Sequence, residues 1–83
     1  MNQHFASLVL GLAAQASGAL DGQLPPGAEQ AGASNPRQLA QALIDTLAAL
    51  EAKTRGNLEA DEAQLLAQAL TSLRIRFATG ATG

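Results

Sequence analysis

Apolar positions recur at helical spacing in three stretches of the chain, and two runs of turn-forming residues separate them. In the first stretch Phe5, Leu8, Val9, Leu12, Ala16 and Ala19 recur at helical spacing, and Leu10 and Ala13 widen the stripe. That period marks an α-helix, placed here at about 3–18. Gly11 lies inside it, at a cost of roughly 1 kcal/mol against Ala in a helix interior. It marks either a close helix–helix approach or a tolerated loss. In the second stretch Leu39, Leu43, Leu47 and Leu50 form a stripe broadened by Ala40 and Ile44. Asn35 is a favourable N-cap and Pro36 suits the first helical position, so this helix is placed at 36–54. In the third, Leu65, Leu66, Ala69, Leu70, Leu73 and Phe77 share a face, which places a helix at 59–78.

The breaks differ in kind. Residues 21–34 hold Asp21-Gly22, Pro25-Pro26-Gly27 and Gly32-Ala33-Ser34, with Leu24 the one large apolar residue, and form a flexible linker. The second break, Lys53-Thr54-Arg55-Gly56-Asn57, is a tight turn. Lys53 and Arg55 complement the C-terminal end of one helix dipole, and Glu59, Asp61 and Glu62 the N-terminal end of the next. Glu51 and Arg55 stand at i and i+4, a modest favourable pair. Gly56 supplies the left-handed conformation that closes a helix, and Asn57 and Glu59 compete to cap the following one. So short a connection makes the second and third helices antiparallel neighbours. The expectation is an all-α single domain over 1–83, three helices with a helical hairpin formed by the last two, ending in a frayed tail at 79–83.

Composition narrows what such a fold can do. The chain has 83 residues, and its apolar side chains are mainly Ala and Leu, with two Phe and neither Trp nor Tyr. A chain this short buries only roughly 60% of the surface its unfolded form exposes. The usual remedy is a staple, and without Cys neither disulfides nor thiolate metal sites can supply it. Self-association is the remaining common staple. Met1-Asn2-Gln3-His4 lacks the basic segment that opens a signal peptide, and the apolar stretch that follows is short for a membrane span. A cytoplasmic protein is expected.

Candidate chemistry is sparse. His4 is the sole histidine and has no second His or Cys to work with. Asp45 follows Ile44 and is assigned to the solvated side or to a pair with Arg74 or Arg76 across an interface. Arg74 and Arg76 lie on different faces, so at most one can be buried. Lys53, Arg55 and the Gly56-Asn57 backbone could form an anion site, but the acidic residues at 59, 61 and 62 already occupy that helix end. The net charge of −2 and the lack of aromatic residues among the basic ones argue against nucleic acid. No catalytic, metal or cofactor-binding residue is expected, and no cofactor.

Ile44-Asp45, Leu47, Leu50, the run Lys53 to Leu58, Glu62, Leu65-Leu66, Leu70 and Leu73-Arg74 through Phe77 resemble domain of unknown function eighteen-forty-four, a family of short bacterial proteins. The likeness extends to Phe5–Leu20 and covers nearly the whole chain outside the linker and tail. Its Lys-Thr-Arg-Gly-Asn-Leu run is the most specific part. That family usually carries Thr, often with Pro, where this chain has Glu59-Ala60, and a shorter linker. The resemblance implies a fold and a bacterial cytoplasmic setting, with no activity and no ligand residue.

The expected function is therefore a non-enzymatic helical interaction protein, a homodimer whose core and interface draw on Phe5, Leu8, Leu12, Leu43, Leu47, Leu50, Leu66, Leu70, Leu73 and Phe77. The alternative is an adaptor whose apolar first helix docks on an unidentified larger protein or a membrane surface.

Overall fold

A computed structural model describes residues 1–23 and 35–79. Three α-helices make up the described fold: α1 (Gln3–Leu20), α2 (Pro36–Thr54) and α3 (Ala60–Thr79). The expected all-α class and helix count hold. Residues 24–34, most of the expected linker, and 80–83, most of the expected tail, lie outside the described residues, as does the expected packing of Leu24.

Each helix packs on both of the others. The core is built from Val9, Ala16 and Ala19 of α1, from Leu39, Ala40, Leu43, Ile44 and Leu47 of α2, and from Leu66, Leu70 and Leu73 of α3. Leu47, Leu66, Leu70 and Val9 are the largest side chains fully sealed from solvent. On the α1 side the core is thin, because two of its three buried residues are alanines. Phe5, Leu12, Leu50 and Phe77 lie partly buried around this centre.

Helix ends account for the boundaries. Asn35 caps α2 through its side-chain oxygen, which accepts from the Gln38 N–H at 2.8 Å. Asn2 does the same for α1, accepting from the Phe5 N–H at 3.0 Å. α1 does not stop at Gly18, as its glycine suggested. It runs on to Leu20 and closes at Gly22, which has φ +95°. There the Gly22 N–H donates to the Ala19 carbonyl at 3.0 Å and the Gln23 N–H to the Gly18 carbonyl at 2.9 Å. Both bonds belong to the Schellman closure, in which the glycine just past the helix turns left-handed. At the other extreme Thr79, expected to open the tail, completes α3, and its hydroxyl donates to the Ile75 carbonyl at 2.8 Å.

The turn between α2 and α3 differs in detail from the sequence expectation. Arg55 sits at φ −55°, ψ 129° and Gly56 at φ +85°, and the Asn57 N–H donates to the Thr54 carbonyl at 2.9 Å. This is a type II turn, which places Gly56 at the position that requires positive φ. Arg55 has left the helix there, so the expected Glu51–Arg55 pair at i, i+4 is absent from the ion pairs among the described residues. Across the fold, Arg37 in the first turn of α2 donates to the Phe77 carbonyl in the last turn of α3 at 3.3 Å. Its guanidinium stands 3.8 Å from the Phe77 ring centroid. A contact between the start of one helix and the end of the next is compatible with the expected hairpin.

Candidate interaction surface

Outside the core, side chains that could act stand on the outer face of α1, at the two ends of the α1–α3 pair and in the concavity beside the α2–α3 turn.

The outer face of α1 is unusual in its chemistry. Between Gln3 and Leu20 there is no Asp, Glu, Lys or Arg. Ser7, Gly11 and Ala14 are exposed and follow one another at i, i+4 and i+7, so they form one stripe of small residues. Leu8 and Leu10 border that stripe and stand 50% and 55% exposed. Ile75 on α3 is 58% exposed. Leu8, expected among the core and interface residues, thus lies outside the core of the protomer, while its neighbour Val9 is fully buried. Gly11 makes no close helix approach within the protomer: a Cβ built on it meets nothing within 4 Å. Of the other expected residues, Leu43, Leu47, Leu66, Leu70 and Leu73 are core, and Phe5, Leu12, Leu50 and Phe77 pack at its margin.

At the start of the α1–α3 pair stands Glu62, the one buried charged residue among those described, at 5% exposure. Its Oε1 accepts from the Glu59 N–H at 2.8 Å. Because the Ala63 N–H donates to the Glu59 carbonyl, Glu59 is the cap residue of α3 and Glu62 stands three residues on. This is the carboxylate half of a capping box. It settles the competition between Asn57 and Glu59 in favour of Glu59, and it is a glutamate, not the cap residue's own side chain, that does the capping. The other oxygen, Oε2, accepts from the Asn2 N–H at 2.8 Å. The two amide donors hold the Glu62 carboxyl below its ordinary 4.5, Asn2 contributing most, and partial burial opposes them. Beside it the Met1 amine pairs with Glu59 at 3.1 Å and Asp61 at 3.6 Å, and these carboxylates raise it above its ordinary 8.0.

The opposite end is tied by Arg76. It donates to the Ser17 hydroxyl oxygen at 2.6 Å and to Asp21 Oδ1 at 2.7 Å. α1 and α3 are therefore parallel, bound start to start by Glu62 and end to end by Arg76. In the Arg76–Asp21 pair Asp21 is exposed and Arg76 half-buried, and pairs open to solvent contribute at most about 1 kcal/mol. Arg74 is exposed and Arg76 half-buried, so neither arginine is fully buried. Asp45 is also exposed, on the solvated side as one of its two readings had it, and accepts from Gln41 Nε2 on its own helix at 2.9 Å.

The concavity beside the turn, about 330 Å³, is lined by Glu51, Thr54, Arg55, Gly56, Leu58, Ala63, Leu66 and Ala67. The Thr54 hydroxyl is engaged with the Leu50 carbonyl at 2.7 Å, and among the described residues no buried side-chain polar atom is without a partner. Among the described residues, no group of three or more His, Asp or Glu is placed to hold a metal ion. No described helix is long and apolar enough to cross a membrane.

Compared with known proteins, residues 2–79 match the family model described as Domain of unknown function (DUF1844). No curated protein and no solved structure matches the chain.

Proposed function

The chain belongs to the DUF1844 family, and from that premise we propose that it is a non-enzymatic helical protein that pairs with a second copy of itself through the outer face of α1, in the bacterial cytoplasm. The observation that carries this reading is the charge-free α1 face, with Leu8 and Leu10 exposed on either side of Ser7, Gly11 and Ala14. Small residues let two helix backbones approach closely, and flanking leucines then bury apolar area on both sides. A face without charge meets no like charge when it pairs with its own copy. The thin α1 side of the core supplies a reason for such pairing in so short a chain.

The same face suits other occupants less well. Helices that lie on a membrane surface carry Lys or Arg beside their apolar residues, and α1 carries none. A nucleic-acid partner would require clustered basic residues, whereas Lys and Arg number five against seven Asp and Glu. Neither a cofactor nor an acid–base pair enters the proposal. A larger protein partner is the alternative, as an adaptor docking through the same face.

The test is the full-length double variant Leu8→Glu/Leu10→Glu. Both positions lie outside the protomer core, so the helical circular dichroism should persist while the dimer dissociates. A dimer of unchanged affinity contradicts the proposal, and a wild-type monomer that captures a larger partner through these leucines supports the adaptor instead.

A further inference from the structure

We propose that Glu62 is a shared cap that joins the start of α1 and the start of α3 into one cooperative unit, which opens at both helices together when its carboxylate is neutralised. The inference does not depend on α1 pairing with a second copy.

Glu62 has two carboxylate oxygens and each serves a different helix. Oε1 takes the amide of Glu59, the cap residue of α3, and Oε2 takes the amide of Asn2, the cap residue of α1. Asn2 in turn uses its own side-chain oxygen to accept from the Phe5 N–H. One carboxylate thus fixes the residue that caps α1, and the chain of contacts runs from Glu59 through Glu62 and Asn2 into the first turn of α1. Parallel helices bring two positive dipole ends side by side, and a single negative charge between them satisfies both. A glutamate serving only α3 would leave its second oxygen to water. Here that oxygen is on Asn2 and the residue is 5% exposed.

The charges acting on Glu62 are the Met1 amine, which favours the ionised form, and Asp61, which opposes it. Glu59 lies beside them with its side chain on the Met1 amine. α1 contributes no ionisable side chain except exposed His4, and no α2 side chain is among the groups that act on Glu62. Neutralising the carboxylate removes the charge from both ends at once. The Asn2 and Glu59 amides then lose a charged acceptor, and with it the stronger of the two kinds of hydrogen bond, so the openings are coupled. Local openings of this kind are subglobal events that leave the rest of the core closed.

The experiment is an acid titration of the full-length protein, followed by the amide proton resonances of Asn2 and Glu59. In wild type the two resonances should move together, with one common midpoint below the ordinary glutamate value of 4.5. In Glu62→Gln both movements should disappear, because the titrating group is gone. Two separate midpoints, or an Asn2 resonance that does not respond, would overturn the shared cap. So would movements of wild-type size in Glu62→Gln, since they would not come from Glu62. If the variant does not fold, the wild-type midpoints decide the question on their own.

Discussion

The backbone N–H of Asn2 donates to the carboxylate of Glu62 across 60 positions of sequence, at 2.8 Å. That bond ties together the caps of two parallel helices through the carboxylate of one residue.

The pH dependence follows from the direction of the Glu62 shift. A carboxyl held below its ordinary value in the folded state contributes stability that is fully present above the unfolded value of 4.5, and that is lost as pH falls through the folded value. Wild type should therefore lose melting temperature as pH drops below 4.5. Glu62→Gln should start lower at neutral pH and lose less over the same acid range. Parallel melting curves for the two proteins would show that Glu62 is not the group responsible.

Leu47 and Leu70 are fully buried on facing helices. A carboxylate at either position would stand in an apolar core without a partner, a burial far more costly than a lost methyl contact. Leu47→Asp and Leu70→Asp should each abolish folding, read as loss of helical circular dichroism. Retained helicity in both variants would refute the packed α2–α3 assignment.

Two glycines should respond in opposite directions. Gly56 adopts φ +85° in the type II turn, so Gly56→Ala forces a side chain into the left-handed region at about 1–2 kcal/mol. Gly11 is helical with open space around it, so Gly11→Ala should stabilise the isolated protomer by up to about 1 kcal/mol. If α1 pairs closely with its own copy, the same Gly11→Ala change should weaken the dimer. Melts of both variants, taken at low and high protein concentration, separate the two effects.

Much of the fold is legible in the sequence because its signals are local. Asn35-Pro36 marks the start of α2, the leucine period marks α2 and α3, and a glycine with flanking charges marks the turn. Expectation and structure part where a decision is tertiary. Gly18 looks like a helix terminator, yet the helix continues because Asp21, Gly22 and Gln23 supply the closing amides three residues later. In the pattern Leu8 and Val9 stand side by side on the apolar stripe; packing of α2 and α3 against α1 buries one and leaves the other out. Glu62 is legible only as one of several acidic residues favourable to a helix dipole. Its second oxygen belongs to another helix, and no spacing within α3 can announce that. The candidate surface was legible in part. The absence of charge from α1 is plain in the sequence, whereas the exposure of Leu8, Leu10 and Gly11 required the arrangement of all three helices.

The central claim, self-association through α1, is tested most directly by sedimentation equilibrium of the full-length protein at low micromolar concentration. The account predicts a species of twice the 8.4 kDa chain mass, falling to the single-chain mass in Leu8→Glu/Leu10→Glu. A stable, fully helical wild-type monomer at that concentration would contradict it.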